Sequence, residues 1–446
     1  MFKLISLWKS NLANTSKLQK FLAKAIAGTF GLKVVNAVLL YLNSLLLARV
    51  LGASGFGVYS YAGAWVNLLL IPAVFGFEGL IVRENTIYQT QSNWTLAKGL
   101  LVWSNKLVLT TSICVAVITS SIFWLNNSSQ NLDTYTVIWI SLASLPFMAL
   151  SRLRQSSMQS INHIVMGQLP EMLVSPLILC IFLGLIVLVF PIKITAVEAV
   201  FVKTLAATVA FTVGATLLQA SLSKQIKTAV PKYTRKSWLK KALPMLLIGS
   251  MYVVNNQTDT VMLGFLSNAE AVGIYTVANR GASLIGFVLL AFNTSLSPIF
   301  AQLYASGNKQ QLQRIVTQCC RVVFAIALLI TVILITFGQD LLSLFGSEFV
   351  RGQNILTILS IGQLINAFSG SVALLLIMTG HDKYTAIGVS ISAILNIILN
   401  AILIPQFDAV GAGIATAISM IVWNVILIIM AQKKLKINST ALGKLW

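Results

Sequence analysis

Residues 24–84 read KAIAGTFGLKVVNAVLLYLNSLLLARVLGASGFGVYSYAGAWVNLLLIPAVFGFEGLIVRE. Two apolar runs, at 24–48 and 57–82, flank a short turn around Arg49 to Phe56. Each is long enough for a helix to cross about 30 Å of hydrocarbon, which takes roughly 20 residues. Similar runs follow at 101–125, 136–155, 171–190, 197–218, 242–265, 273–299, 319–338, 353–378, 384–404 and 410–431. The reading is an all-α polytopic membrane protein with twelve transmembrane helices. The spans at 136–155 and 197–218 are the weak ones, the first interrupted by Pro146 and the second carrying Glu198 and Lys203 in its first turns.

Composition agrees. The 446 residues are 57% hydrophobic and 9% charged, with a formal charge of +20, where a soluble domain carries about 25% charged residues. This excludes a secreted, disordered or ordinary cytosolic protein. It also disfavours nucleic-acid binding, because the positive charge lies between apolar spans. The N-terminus, with Lys3, Lys9, Lys17, Lys20 and Lys24, reads as a basic approach to the membrane rather than a cleavable signal. Cys114, Cys180, Cys319 and Cys320 show no metal-binding or redox spacing.

Charge sets the orientation. If alternate connections are cytoplasmic, those segments hold 24 Lys and Arg, and the opposite connections hold Arg49, Lys193 and Arg351. That asymmetry places both termini in the cytoplasm and requires an even number of spans. The resulting organisation is a basic N-terminal segment (1–23), a six-helix lobe (24–218), a basic linker (219–241), a second six-helix lobe (242–431) and a basic tail (432–446). The loops are short and leave no room for a soluble catalytic domain.

A shift of 216 residues aligns the halves. Gly57-Val58-Tyr59 falls on Gly273-Ile274-Tyr275, Leu45–Leu47 on Val261–Leu263, Tyr88 on Tyr304 and Lys24 on Lys240. Six spans separate the copies, so both have the same orientation. The expectation is two lobes related by a pseudo-two-fold axis along the membrane normal, with a cavity between them.

Four basic residues fall inside spans: Lys33, Lys106, Lys203 and Arg280. Intramembrane charge usually faces a bundle interior. Lys33 and Arg280 are too deep for easy snorkelling, whereas Lys203 reads as a snorkelling residue and Lys106 as either. Arg49 and Arg83 sit at span ends. Glu78, in Gly76-Phe77-Glu78-Gly79, is the best acidic partner for a cation. Asn255, Asn256 and Asp259 form a polar run too dense for a lipid-facing helix. Asn36 and Asn43 are seven apart on one face near Lys33, suited either to substrate or to helix–helix hydrogen bonds. A cavity richer in cations than acids attracts an anion, and an adjacent apolar crevice accepts lipid tails. Together they suit a lipid with a phosphate or diphosphate head. A glycan would meet Asn, Gln, Ser and aromatic faces such as Tyr41, Tyr61, Trp65, Tyr252 and Tyr275. No phosphate-binding loop, hydrolase pattern or metal cluster is present in the sequence, and His163 and His381 are isolated.

Ala48, Arg49, Leu51, Gly52, Phe56, Gly57 and Tyr59, followed by a glycine-rich second helix ending in Arg83-Glu84, form a turn that resembles the bacterial polysaccharide-transporter family. These are oligosaccharide or O-antigen flippases of the superfamily that also contains the multidrug extruders. The resemblance implies two six-helix lobes and transfer of polyprenyl-diphosphate-linked oligosaccharide to the outer leaflet of the bacterial inner membrane. It implies basic residues like Lys33 and Arg280 in a cationic cavity, no cofactor and no catalysis. Polysaccharide polymerase and glycosyltransferases of the same pathway are the implied partners, with membrane lipids and without nucleic acid. The coupling ion, H+ or Na+, is left open, because the first span lacks the acid that multidrug extruders use there. The alternatives are an ion-coupled multidrug exporter and a membrane glycan polymerase or ligase.

Overall fold

The computed structural model describes residues 17–125, 132–188 and 194–443, with side chains from residue 28 onward apart from 132–133, 187–188, 247–248 and 295. Lys3 and Lys9 of the basic approach, Lys193 of the outer connections and Lys444 of the basic tail lie outside the described residues. Every regular element among the described residues is helical. Among the described residues eight helices are long and apolar enough to span a membrane, or nine if Ser347–Ser369 and Val372–Met378 form one span bent by 41°.

α1 (Lys17–Val74) has 58 residues, about 87 Å if straight at the helical rise. That is nearly three times the hydrocarbon depth of about 30 Å. It breaks at Gly52 (φ 67°, ψ −179°), a left-handed φ that glycine adopts without the steric cost a Cβ brings. After α2 (Phe77–Leu80), a π turn (Ile81–Asn85) and α3 (Thr86–Thr90), α4 (Trp94–Leu125) is a continuous rod. α5 (Leu132–Ala143) and α6 (Leu145–Ser160) meet at Ser144, beside Pro146. α7 (Ile164–Leu169), a second π turn (Pro170–Val174) and α8 (Ser175–Leu188) follow. α9 (Ala196–Ser221) opens with a capping box in which Thr195 and Glu198 satisfy each other's backbone ends. Glu198 is therefore a helix-start residue rather than a buried acid.

The second half begins with α10 (Lys224–Thr228), α11 (Arg235–Leu266), α12 (Ala269–Ala305) and α13 (Lys309–Thr336). α14 (Gly338–Ser343) and a 3-10 turn (Ser347–Gly352) lead to α15 (Gln353–Ser369) and α16 (Val372–Met378). α17 (Asp382–Leu435) has 54 residues and breaks at Asp408 (φ 52°), just after Pro405.

Three apolar cores hold these rods. The largest joins the halves, with Leu47, Phe56 and Tyr59 against Val272, Tyr275 and Phe349. A second, around Phe77, Leu100 and Leu153, also takes in Ile226 and Trp238. The segment expected as a basic linker is therefore docked on the first half. Lys232 N donates to the Thr95 carbonyl at 3.0 Å, and Lys98 Nζ to the Lys227 carbonyl at 2.6 Å. Consequently α11 starts against the first half and ends inside the second.

The third core, around Phe300, Leu312 and Leu427, includes Ile437. Beyond Leu435 the chain folds back, although its lysines suggest a solvated tail. Gln313 exchanges two bonds with the Asn438 backbone, both 2.8 Å. Arg321 donates to the carbonyls of Ala441 (3.0 Å) and Gly443 (3.1 Å). Charge-assisted hydrogen bonds contribute about 1.5–3 kcal/mol each. Arg321→Ala is expected to speed trypsin cleavage at Lys436 at least about tenfold, and an unchanged digestion rate would show that the tail is held otherwise.

Candidate functional site

The halves meet through repeat-related residues. A Cβ on Gly57 would lie 1.6 Å from the Ala269 carbonyl oxygen, and one on Gly273 would lie 2.1 Å from that of Ala53. Ala53 with Ala269, and Gly57 with Gly273, are pairs under the 216-residue shift. Each glycine therefore packs on the alanine of the opposite copy, the reciprocity a two-fold relation produces. Around this contact, the break at Gly52 frees the Ala53 N–H, which donates to Glu348 Oε2 at 2.7 Å. Arg49 Nε donates to the Leu344 carbonyl at 2.6 Å, and Phe56 meets Phe349 edge-on at 6.3 Å. Arg49 thus lies in a clasp between the halves.

Further along α1, two opposite faces are exposed. Val35, Val38 and Leu42 form one stripe, and Leu40 lies on the other side. Lys33 is seven residues before Leu40 and shares its face. Arg280, partly buried on α12, reaches α1 and donates from Nη1 to the Leu40 backbone carbonyl at 3.2 Å. That carbonyl also accepts the Ser44 hydroxyl at 2.6 Å. Phe30 stacks on Phe287 at 6.4 Å one turn below Lys33. Among the described residues no carboxylate lies within ion-pair distance of Lys33 or Arg280.

Asn36 and Asn43 have local duties. Pro176 has no N–H for the Met172 carbonyl four residues before it, and Asn36 Nδ2 supplies that donor at 2.7 Å. Asn43 Nδ2 donates to the Pro176 carbonyl at 2.9 Å. Both bonds tie α1 to the proline-flanked π turn.

On α11, Tyr252, Asn256 and Asp259 share one face. The Asp259 end is closed. Tyr275 Oη (2.8 Å) and Thr416 Oγ1 (2.6 Å) donate to its Oδ2, and Asn396 Nδ2 (2.9 Å) and Asn400 Nδ2 (2.7 Å) to its Oδ1. Four helical segments thereby converge on one buried carboxylate. These are hard oxygen ligands in type, but the carboxylate already accepts four donors. Asn396 and Asn400 escaped the sequence reading; four apart in an apolar run, they carry the same signal that singled out Asn36 and Asn43. Asn255 is partly buried. Exposed Asn256 donates from Nδ2 to the Tyr252 carbonyl at 2.7 Å.

Other candidates lie apart. Glu78 is partly buried with no side-chain partner among the described residues, and it does not face Arg280 as an ion-pair partner. Arg83 is exposed and its Nε lies 3.9 Å from Glu84, a long and solvent-screened contact. The buried acid is Glu84, which binds Lys241 at 2.6 Å and Tyr88 at 3.4 Å, while Trp238 Nε1 donates to Tyr88 Oη at 3.0 Å. Lys106 opens an exposed α4 stripe with Leu109, Ile113 and Val117, as a snorkelling residue does. Lys203 lies over the Tyr59 ring at 4.7 Å inside the first half. Arg154, counted with the loop cations from sequence, is buried and paired with Glu171 of the second π turn. No cluster of metal-ligating side chains occurs among the described residues.

Comparison with known proteins fits this architecture. The sequence profile described as MatE matches residues 244–402, and that described as Polysaccharide biosynthesis protein matches residues 22–304. A Haloferax volcanii protein named "Probable flippase AglR" is 26% identical over 91% of this chain and 82% of its own. The fold superposes on an inward-facing multidrug resistance MATE family transporter of the MOP superfamily with a TM-score of 0.76 at 13% identity, covering 90% of this chain and 94% of that one. Against the lipid II flippase MurJ in an inward closed conformation the TM-score is 0.70 at 13% identity, covering 92% and 87%. The profile match over residues 22–304 takes in more than half of the sequence, and the chain belongs to the polysaccharide biosynthesis protein family.

Proposed function

We propose that this chain is a flippase that moves a polyprenyl-diphosphate-linked oligosaccharide from the cytoplasmic to the outer leaflet of a bacterial inner membrane, for O-antigen or exopolysaccharide export. It translocates and does no covalent chemistry, in keeping with its family. The observation that carries the reading is the seam where Arg280 bonds the Leu40 carbonyl of α1, about two helical turns from Lys33. Two cations there, with no carboxylate against either among the described residues, favour a diphosphate over a cationic drug.

The architecture supports alternating access. The breaks at Gly52 and Asp408 divide α1 and α17 into two spans each, and counting α11 and the bent α15–α16 pair gives twelve. Reciprocal packing of Gly57 and Gly273 supports a pseudo-two-fold axis between lobes of residues 24–218 and 242–431. The positive-inside asymmetry puts both termini in the cytoplasm. The clasp of Arg49 and Glu348 then lies at the outer ends, closed in this structure, and must open to release the glycan. Lys33 and Arg280 hold the diphosphate while the prenyl tail stays in lipid. The enzymes that assemble and polymerise the glycan are the partners this role requires.

Proteoliposome flipping of the lipid-linked glycan tests this. Lys33→Ala and Arg280→Ala together remove two charge-assisted contacts of about 1.5–3 kcal/mol each. Transport is expected to fall at least about tenfold, and an unaltered rate in the double variant would remove both residues from the mechanism.

A further inference from the structure

Under the 216-residue shift, the Lys33 face of α1 corresponds to one face of α11, yet the chemistry differs. Lys33 falls on Gly249, Asn36 on Tyr252, Leu40 on Asn256 and Asn43 on Asp259. The first set carries a cation. The second carries none: from Ala242 to Thr258 the sequence has no ionisable side chain other than Tyr252.

The α11 face is closed at one end and open at the other. Asp259 is 3% exposed, whereas Tyr252, one turn and three residues earlier, is 38% exposed. Gly249 and Asn256 are exposed too, and a Cβ on Gly249 would meet nothing within 4 Å. Because Tyr252 and Asn256 share a face with a carboxylate packed among α12 and α17, they border the interior of the second half, and a lipid-facing stripe does not explain them. The Tyr252 ring is braced edge-on by Trp423 at 6.2 Å and 73°. Asn256 Nδ2 is committed to the Tyr252 carbonyl, which fixes the amide and leaves its Oδ1 free to accept from a hydroxyl.

A braced aromatic ring with an oriented amide beside it, on a face whose one carboxylate already accepts four donors, is suited to a pyranose. The C–H face of the sugar packs on the ring, and a hydroxyl donates to the amide oxygen. We propose that Tyr252 and Asn256 form a carbohydrate subsite that reads the glycan, separate from the Lys33 and Arg280 cations that read the diphosphate. This rests on the reading of the chain as a lipid-linked glycan flippase, and it separates two recognition surfaces: the head group at Lys33 and Arg280, one from each half, and the sugar on the α11 face.

The test uses the full-length protein in proteoliposomes with two probes. One is the pool of polyprenyl-diphosphate glycans extracted from the cells that natively express the chain, and the other is bare polyprenyl diphosphate. Tyr252→Ala is expected to slow the glycan-bearing lipid about tenfold, the size of a lost aromatic contact with its packing, while bare-lipid transport stays at the wild-type rate. Tyr252→Phe should retain transport of both, and Asn256→Ala should lose a few-fold on the glycan-bearing lipid alone. Unchanged bare-lipid transport doubles as the control for folding. If Tyr252→Ala and Asn256→Ala slow both lipids alike, or neither, the subsite is overturned and the flippase reading stands. If the wild-type protein moves neither lipid, the flippase reading fails and the subsite with it.

Discussion

Gly57→Ala should depopulate the conformation in which the two halves meet at this turn by roughly a hundredfold. The added methyl would sit 1.6 Å from the Ala269 carbonyl oxygen, well inside van der Waals contact. The obstacle is backbone, so no rotamer change relieves it, and the two halves must separate at this point. Overpacking costs about 1–3 kcal/mol where side chains can yield and more where they cannot. About 3 kcal/mol corresponds to the hundredfold shift. Separation also lengthens the Glu348 to Ala53 and Arg49 to Leu344 bonds, which span the same interface. Gly273→Ala should act in the same direction, since its methyl would meet the Ala53 carbonyl at 2.1 Å. Gly31→Ala is the control, because a Cβ there meets nothing within 4 Å. The measurement is thiol labelling of Ala53→Cys, in an otherwise cysteine-free chain, by an impermeant reagent added outside. Ala53 is 1% exposed in the closed form. Labelling should rise strongly in Gly57→Ala and stay low in Gly31→Ala. Equal labelling in all three backgrounds would show that the glycine contact does not hold the halves together.

Much of this interface was legible from residues 24–84. Apolar runs of bilayer length announce themselves locally, and the Ala-Arg turn with its glycines marks where the chain reverses. The matching Gly-x-Tyr at 273–275 pointed to a repeat. That the two glycines touch each other was not legible, because a repeat in sequence does not say which copies' surfaces meet. Pairings that depend on backbone irregularity were hidden as well. Arg154 reads as a loop cation until the π turn at 170–174 brings Glu171 beneath it. Glu198 weakened the span at 197–218, although the Thr-x-x-Glu spacing from Thr195 carries the capping-box signal outright. The C-terminal fold-back escaped for another reason: its lysines dominate a charge count, while Gln313 and Arg321, which bind its backbone, lie more than a hundred residues away. Lys33 and Arg280 stood out because charge is rare at that depth, and no local signal placed them on facing helices.

Asp259→Ala should be the most destabilising single substitution in the second half. The carboxylate accepts from Tyr275, Thr416, Asn396 and Asn400, and removing it strands four donors, three of them fully buried. Each stranded group costs about 1–3 kcal/mol. Some loss is recovered, since Tyr275 and Thr416 are 3.2 Å apart and Asn400 already reaches Asn396 Oδ1 at 3.0 Å. A net cost of about 3–5 kcal/mol remains, as for other broken buried charge networks. In detergent-solubilised protein the unfolding midpoint should fall by several degrees. Asp259→Asn should fall between Asp259→Ala and wild type, because the amide keeps one acceptor and turns a donor toward two others. Asn396→Ala alone should cost less, since Oδ1 retains Asn400. A midpoint in Asp259→Ala within a degree of wild type would mean the network is not made. The repeat sharpens the test. Asn43 occupies the corresponding place on α1, where the groups it meets are the Pro176 carbonyl rather than donors. The same site in the two copies therefore requires opposite chemistry, an amide that gives on α1 and a carboxylate that receives on α11. Asn43→Asp should destabilise the first half by placing a carboxylate against a carbonyl, and combining it with Asp259→Asn should add the two losses rather than restore either.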